Sequence, residues 1–558
     1  MTMRTAFPLL GLTAALAGAS PASATTFCVP AFTAACPDAA GNVQQADLQT
    51  ALQANGHDGS ADRVVIAPGT FTRPDSLELY SGDDDALEVV GAGRGATYLT
   101  STENANAYVV DLVGHRDLTV RDLTILIPAS FPDDLGSGLQ ASQATFERVD
   151  IESRNAGSDG VSMVGGGTFR DGRIYGAAGG SIFTGIDTNG ALSGSLEVER
   201  TTIDHPAWGL EVDDPEVPVF ARRMRIIDPG NFGMRVTYGT FGVLENSVVQ
   251  TTGTAVAVIA EASTAGTTVA TVRHATIVGY GMDVDTPAIR TTVTNSPGAG
   301  SVNLVVKDTI LAGYETPLWR EAPTGPGTGS ANVLVSYSLL RFSVYDSGDG
   351  STTLGASSID ATTSNPLFNS LLDPHLKPGS PAIDSGDPQV VSVTAEDYDG
   401  NLRPVDGDGD GAARRDMGAF EYQPPAPPPV DQPPAGDPGT SPPSGAPPAP
   451  APGTDPAPDI TKPRISGLRL SGLSARRGGF AAMTLSEAAT VVLALRPVGR
   501  SGALGKAVTL KFTARAGSNR LRIKARRLRA RRYRVTVVAR DAAGNSSAAL
   551  ARRIIVRR

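Results

Sequence analysis

A six-residue phrase recurs between residues 120 and 340 and constrains the fold more than any other feature of the chain. It starts and ends with an apolar residue and carries mostly charged or small residues between them, as in Val120 to Ile125. The copies are 22 to 33 residues apart and close at Ile125, Ile151, Ile174, Ile203, Ile226, Val248, Ile277, Ile310 and Leu339. A repeat of this length with a variable period is typical of a solenoid whose coils carry loops.

A second phrase follows the first within each repeat and indicates strands instead of helices. It begins with glycine and continues as a short apolar run, as at Gly160, Gly180, Gly209 and Gly233. Aromatic residues make up only 5% of the chain and glycine contributes 63 of its 558 residues, which suits short strands and tight turns. We therefore predict an all-β fold, a right-handed parallel β-helix of about 9–12 coils with three short strands in each coil.

Stacked coils place equivalent positions about 4.8 Å apart, so each column of the repeat predicts spatial neighbours. Four positions before the closing residue, the column is Arg121, Glu147, Arg170, Glu199, Arg222, Leu244, Arg273 and Val306. Its signs alternate over five coils, as expected if neighbouring strands pair opposite charges. We interpret these charges as a structural ladder and not as catalytic residues.

Two further phrases extend the pattern beyond the repeats. One contains Asn365 and runs on to Gly386, and the other runs from Asp397 to Tyr422. Over about residues 60–420 the chain resembles the right-handed parallel β-helix proteins of the pectate-lyase-like superfamily. The two phrases resemble the terminal segment of secreted bacterial β-helix proteins, sometimes labelled a choice-of-anchor domain. The resemblance implies export and an architecture, and it implies no single reaction.

Composition divides the rest of the chain. Residues 1–24 resemble a signal peptide, because Arg4 precedes a short apolar run and Ala22 to Ala24 form a small-residue cleavage site. We assign residues 25–59 to an N-terminal segment with a helical cap at 46–56, residues 60–422 to the β-helix and residues 423–460 to a Pro-rich linker. Cys28 and Cys36 are the two cysteines, and in an exported chain we expect them to form a disulfide.

Residues 461–558 form a basic module that resembles bacterial immunoglobulin-like domains, and we predict a small β-sandwich. They hold 24 of the 48 Lys and Arg residues but only Glu487 and Asp541 among the 57 acids. Seven of these cations lie between Lys524 and Arg534. In an exported protein we expect contact with an acidic cell-wall polymer and not with nucleic acid; the alternative is a solvated face. No later apolar run is long enough to span a membrane, and we expect a secreted or wall-associated monomer.

A candidate glycan groove follows from aligning the strands that begin at Gly209 and Gly233. The alignment places Glu211 beside Arg235 and Asp213 beside Thr237 on one outward face. His205 and Trp208 precede the first strand, and a tryptophan ring can stack on a sugar. The alternative is an outward salt bridge beside a packed tryptophan. The phrases typical of β-helix hydrolases do not occur as a set, so we expect polysaccharide binding, with a lyase or glycoside hydrolase acting on uronate-rich polymer as the alternative.

A candidate metal loop lies near the end of the predicted β-helix. Asp406, Asp408 and Asp410 repeat the Asp-x-Asp-x-Asp-Gly opening of calcium loops. The twelfth position, where an EF-hand has glutamate, is Met417, and Asp416 lies one step earlier. We expect Asp406, Asp408, Asp410 and Asp416 to bind Ca²⁺; the alternative is a turn rich in Asp and Gly.

Overall fold

The chain divides into two compact units, Met1–Val430 and Asp431–Arg558, which are described separately. The computed structural model describes residues 24–54, 60–78, 86–102, 108–113, 117–131, 137–177, 180–188, 193–263, 265–294, 298, 300–325, 327–362, 365–389, 395–424, 463, 465–474, 478–497, 508–524, 529, 531–540, 547 and 550–556. The predicted signal peptide up to residue 23 and the predicted linker from residue 425 to 460 lie outside these residues. Among the helices so described, none is long and apolar enough to cross a membrane.

The first unit is a parallel β-solenoid with three strands in most coils, which confirms the predicted all-β parallel fold. Sheet 1 contains Thr26–Val29, Asn42–Gln44, Asp62–Ile66, Leu87–Val90, Gly167–Arg170, Leu196–Glu199, Val219–Arg222, Phe241–Glu245, Thr267–Arg273, Ser301–Lys307, Ala331–Ser336 and Gly350–Leu354. Sheet 2 contains Gly69–Arg73, Thr97–Ser101, Arg173–Gly176, Thr202–Asp204, Arg225–Ile227, Val248–Thr252, Thr276–Tyr280, Ile310–Ala312, Leu339–Leu340 and Ile359–Asp360. The long strands Leu118–Ile127 and Thr145–Ser153 bend and take part in both sheets.

Sheet 3 has eleven strands and completes the coils. Its strands are Leu77–Glu78, Tyr108–Leu112, Ser137–Ala141, Asp159–Met163, Ile182–Thr188, Pro206–Val212, Phe232–Val236, Val256–Ala262, Ile289–Val293, Leu318–Glu321 and Val344–Ser347. Five of these strands carry a glycine at the same register position: Gly138, Gly160, Gly185, Gly209 and Gly233. Here the sheet lies so close to the next coil that a Cβ on Gly209 would lie 2.1 Å from the carbonyl oxygen of Gly233.

The closing residues of the repeat form an inward column, and the register corrects three of them. Ile226 is the partner of Val249, and Ile277 is the partner of Leu311. In the three corrected copies the inward residues are thus Val249, Leu311 and Leu340, and each lies one position after the predicted residue. The prediction failed at these copies because two adjacent apolar residues fit the pattern equally well.

The corrected register lengthens the charge ladder of sheet 1. Glu245 replaces Leu244 in the column and forms ion pairs with Arg222 at 3.4 Å and with Arg273 at 3.0 Å. Lys307 replaces Val306 and is the partner of Arg273. The next column forms the turn into sheet 2, and its residues have φ between 46° and 60°, in the left-handed region: Asp122, Arg148, Asp171, Arg200, Arg223, Asn246, His274, Asp308 and Tyr337.

A terminal segment, residues 365–424, folds back over the outer face of sheet 2 instead of adding further coils. It contains one antiparallel pair, Phe368–Ser370 with Asp373–Leu376. Its apolar residues, among them Ile383 and Met417, pack against Val278, Ile310 and Leu339. This packing explains why the outward residues at the ambiguous positions are apolar. The strands of the solenoid end at Ile359–Asp360, within the predicted range of 60–422.

The N-terminal helix spans Leu48–Gln53, inside the predicted 46–56. Asp47 caps it, because its carboxylate accepts a hydrogen bond from the backbone N–H of Thr50 at 2.8 Å. Leu48, Ala51 and Leu52 are buried in the main hydrophobic core. A disulfide joins Cys28 and Cys36 nearby.

The second unit consists of two antiparallel sheets that share one hydrophobic cluster. The first contains Ile465–Ser474, Gly478–Leu485 and Gly517–Ile523. The second contains Ala489–Pro497, Val508–Ala514, Arg531–Arg540 and Leu550–Val556. Most side chains of the basic run between Lys524 and Arg534 lie outside the described residues.

Candidate functional site

Acidic side chains gather on the outer face of sheet 3. One outward column joins Asp111, Gln140, Ser162, Asp187, Glu211 and Arg235 on successive coils. Asp159 lies on the same strand as Ser162, and Asp213 follows directly after the strand that carries Glu211. We call Asp111, Asp159, Asp187, Glu211 and Asp213 the acidic row.

Burial and mutual repulsion alter the protonation of the acidic row. Burial, followed by the charges of Asp159, Asp213 and Glu211, raises the pKa of Asp187 to about 8. The Oδ2 atom of Asp187 accepts a long hydrogen bond from Ser162 at 3.4 Å, whereas its buried Oδ1 has no partner in the described part of the chain. Burial also raises the pKa of the other four carboxyls. Asp187 is therefore protonated at neutral pH and is able to donate a hydrogen bond.

The predicted pair of Glu211 and Arg235 lies on adjacent coils. Arg235 Nη1 donates to Glu211 Oε1 at 2.9 Å, and its Nη2 donates to Glu261 at 3.2 Å. Burial lowers the pKa of Arg235, but Glu261 and Glu211 more than offset this effect, and the pKa lies above its usual value. Asp213 accepts a hydrogen bond from Thr188 Oγ1 at 3.2 Å. Arg235 favours the ionised form of Glu211, beside a protonated Asp187.

An aromatic stack borders the acidic row. The ring of Trp208 lies between Phe183 at 4.7 Å and Phe232 at 5.3 Å, measured between ring centroids. Trp208 is flanked on both sides, so the side chain with the most surface for a ligand is Phe183, which is 40% exposed. The sequence left open whether Trp208 contacts a sugar or is packed; Trp208 is packed between two rings, and Phe183 is better placed for contact with a sugar.

His205 lies at the turn that enters sheet 3, at the opposite end of the strand from Glu211. Its Nδ1 is 2.5 Å from Asp204 Oδ1, and its side chain is 65% exposed. The hydrogen bond from His205, together with Arg173, holds the pKa of Asp204 at about 2. His205 thus contacts Asp204 at the edge of the face, and in the contacts that the structure records it does not touch the acidic row.

The predicted groove did not include Asp111, Asp159, Asp187 or Phe183. A signal for Asp187 was present, because Gly185-Ile-Asp187 has the same spacing as Gly209-Leu-Glu211 and Gly233-Met-Arg235. The sequence analysis started the strand of this coil at Gly180 and not at Gly185, so Asp187 was not aligned with Glu211. The raised pKa of Asp187 depends on neighbours from other coils, which the sequence spacing alone does not specify.

A group of carboxylates that could hold a metal ion lies in the terminal segment. It consists of Asp384, Asp406 and Asp408, whose oxygens all lie within 4.8 Å of one another. The backbone N–H groups of Gly409 and Gly411 donate to Asp406 and shape the loop. Asp384 takes the place expected for Asp416, whose buried oxygens accept hydrogen bonds from the backbone N–H groups of Asp384 and Tyr422. Asp410 lies 3.9 Å from Arg414.

No protein-family model matches the chain, and no curated protein matches it. Among solved structures, the chain is similar to the crystal structure of alginate lyase from Paenibacillus sp. str. FPU-7, with 14% identity over 59% of this chain and 99% of that chain. The TM-score is 0.35, which is too low to support any inference about chemistry.

Proposed function

We propose that the outer face of sheet 3 binds an extracellular glycan. The observation that carries this proposal is the presence of a carboxyl with a raised pKa, a carboxyl that is ion-paired with Arg235 and an exposed aromatic ring on one face, at Asp187, Glu211 and Phe183. A protonated carboxyl donates and accepts hydrogen bonds, a carboxylate accepts them, and a sugar packs its apolar face on an aromatic ring. Together these groups match the mixed polar and apolar surface of a carbohydrate.

Glycoside hydrolysis is a second candidate, supported by the state of the two carboxyls. Glycosidases use a carboxylic acid with a raised pKa to protonate the leaving oxygen and a second, ionised carboxylate as nucleophile or base. Asp187 has a raised pKa, Glu211 is ion-paired with Arg235, and the two residues are register partners about 4.8 Å apart along the stack. In retaining enzymes the two carboxyls are about 5–5.5 Å apart. Asp187 would act as the acid and Glu211 as the nucleophile.

Replacing both Glu211 and Arg235 with Ala is expected to weaken glycan binding at least tenfold, which corresponds to about 1.4 kcal/mol. The change removes the central ion pair of the face and leaves Glu261 without its cation. Binding is measured by retardation in native gels that contain polysaccharides, and products are assayed for new reducing ends and for unsaturated ends. New reducing ends without unsaturation support the hydrolase, and unsaturated ends support a lyase.

The matched control replaces Glu197 and Arg222, an ion pair at 2.6 Å on sheet 1, with Ala. This variant is expected to bind like the unmodified protein, because its charges lie on a different sheet. Circular dichroism verifies that both variants fold. Equal binding by the Glu211 and Arg235 variant and the control would contradict the proposed site.

The remaining expectations from the sequence are part of the same proposal. We infer export through the segment 1–24, a monomeric protein and retention at the cell wall by the basic module of residues 461–558. The net charge of that module favours an acidic polymer.

Residues Asp384, Asp406 and Asp408 are proposed to bind Ca²⁺, because the ligand set consists of carboxylate oxygens only.

Addition of Ca²⁺ is expected to raise the Tm of the first unit, because a ligand that binds only the folded state stabilises it by mass action, by about 2.7 kcal/mol at one hundred times Kd. The change Asp408→Asn should abolish the shift, and Asp373→Asn serves as a control for an exposed acid in the same segment. Differential scanning calorimetry in EDTA and in Ca²⁺ measures the effect. An equal shift in both variants would show that Ca²⁺ binds elsewhere.

A further inference from the structure

We infer that the glycan recognised by sheet 3 carries protonated amino groups and not carboxylates. This inference rests on the proposed function of the face and specifies the class of polymer that it takes. It follows from the balance of charge on the face, from the pairing of Arg235 and from the unpartnered Oδ1 of Asp187.

The five sheet 3 strands from Tyr108–Leu112 to Pro206–Val212 hold no Lys or Arg, and the recorded ion pair of the acidic row joins Glu211 to Arg235 on the next coil. The recorded polar contacts of Asp159 and Asp213 come from neutral groups, the N–H of Thr184 at 3.0 Å and the hydroxyl of Thr188 at 3.2 Å. Burial raises the pKa of both carboxyls because neither hydrogen bond compensates for the loss of water. A cation bound beside them would restore the ionised forms, so the row is electrostatically suited to an ammonium group.

Arg235 is the cation nearest to the acidic row in the described outward column, and it already forms ion pairs. Arg235 donates one nitrogen to Glu211 and another to Glu261, so its charge is matched by two carboxylates. Arg290 follows two coils further on, after Ile259, and lies roughly 19 Å from Asp187 along the stack. Glu211, the member of the row nearest to Arg290 in this column, lies roughly 14 Å away, which is still beyond the Debye length of about 8 Å at physiological ionic strength, so Arg290 contributes little to neutralising the row.

The charge of the acidic row favours a glycan with ammonium groups over a glycan with carboxylates. A uronate would place a negative charge beside carboxyls whose pKa values burial already raises, and this charge would oppose their ionisation further, because like charges at short range are repulsive. An ammonium group presents three hydrogen-bond donors. Asp187 Oδ1, which is buried and unpartnered, offers an acceptor for one of them. The aromatic stack beside the row would pack against the sugar ring itself.

The test compares three oligosaccharides of equal length, measured by isothermal titration calorimetry with the full-length protein. They are a glucosamine oligomer, its fully N-acetylated form and a galacturonate oligomer, each in EDTA and again in Ca²⁺. We expect the glucosamine oligomer to bind at least tenfold more tightly than the other two, and this preference to weaken with added salt. The variant Asp159→Asn with Asp213→Asn should lose the preference while retaining the neutral hydrogen bonds. Asp150→Asn is the matched control, because burial also raises the pKa of Asp150 but the residue lies on sheet 2.

Each outcome is decisive. Equal affinity for the acetylated and free amino forms overturns the inference, as does tighter binding of the galacturonate oligomer, whether Ca²⁺ is required or not. Loss of the preference in the Asp150 variant also overturns it, because the acidic row would not be its source. If no glycan binds under any condition, the proposed function itself fails.

Discussion

Replacing Arg403 with Met is expected to destabilise the terminal segment by about 3–5 kcal/mol, the range found when one partner of a buried ion pair is removed. Arg403 is 4% exposed and donates to the carbonyl oxygen of Ala419 at 2.8 Å and to the ring of His274 at 2.8 Å. Glu421 lies 3.7 Å from its Nε. Without the guanidinium, the buried carboxyl groups of Glu421, Asp397 and Asp416 would lose the positive charge that Arg403 supplies.

Equilibrium denaturation in urea, monitored at pH 7 and again at pH 5, measures the decrease in the free energy of unfolding. Burial and the charge of Glu421 raise the pKa of Asp416 to about 8, so the folded state holds a proton that the unfolded state releases above pH 4. The contribution of Asp416 to stability is therefore greatest below pH 4 and declines as the pH rises toward 8. Asp416 is protonated in the folded state at both pH values, so the difference between them comes mainly from Glu421, whose pKa burial raises and Arg403 lowers. Protonation of Glu421 at lower pH should reduce the effect of the Arg403 change. Arg414→Met, an exposed arginine in the same segment, is the control. Equal stabilities for the two variants would contradict the account of this network.

The change Phe169→Ala is expected to lower the free energy of unfolding of the solenoid by about 3–5 kcal/mol, the range for Phe→Ala substitutions in cores. Phe169 is fully buried, and its ring centroid lies 6.1 Å from that of Phe146 on the preceding coil. The cavity would weaken the packing between neighbouring coils, on which the cooperativity of a solenoid depends.

Guanidinium denaturation of the full chain measures this effect, with Phe342→Ala as the control. Phe342 is 41% exposed, and its loss should change stability by no more than about 0.5 kcal/mol. A small effect at Phe169 would indicate that the two rings do not pack as described.

The fold was predictable because each copy of the repeated phrase corresponds to one coil of the solenoid. Every copy must place one apolar residue inside, and this requirement is visible as a period in the sequence. The register was less certain where Val248 and Val249, or Ile310 and Leu311, are both apolar. Both members of each pair are buried, one in the solenoid core and the other beneath the terminal segment. A contact with a distant segment does not appear in the local pattern.

The candidate site was predictable only in part. Alignment of adjacent repeats brought Glu211 and Arg235 together, because equal positions in neighbouring coils are spatial neighbours. The same alignment did not identify Asp187, because the glycine of its coil was assigned five residues too early. The protonation of Asp187 depends on burial and on Asp159, Asp213 and Glu211, so it requires the arrangement of several coils in space.

The variant Asp187→Ala tests most directly whether the acidic row binds glycan at a cost in stability. Asp187 contributes most to stability below pH 4, and its contribution declines as the pH rises toward 8, because the folded state resists ionisation of the buried carboxyl. We therefore predict that Asp187→Ala raises the Tm, more at pH 8 than at pH 5, and at the same time weakens glycan binding at least tenfold. A lower Tm at pH 8 together with unchanged binding would contradict the account.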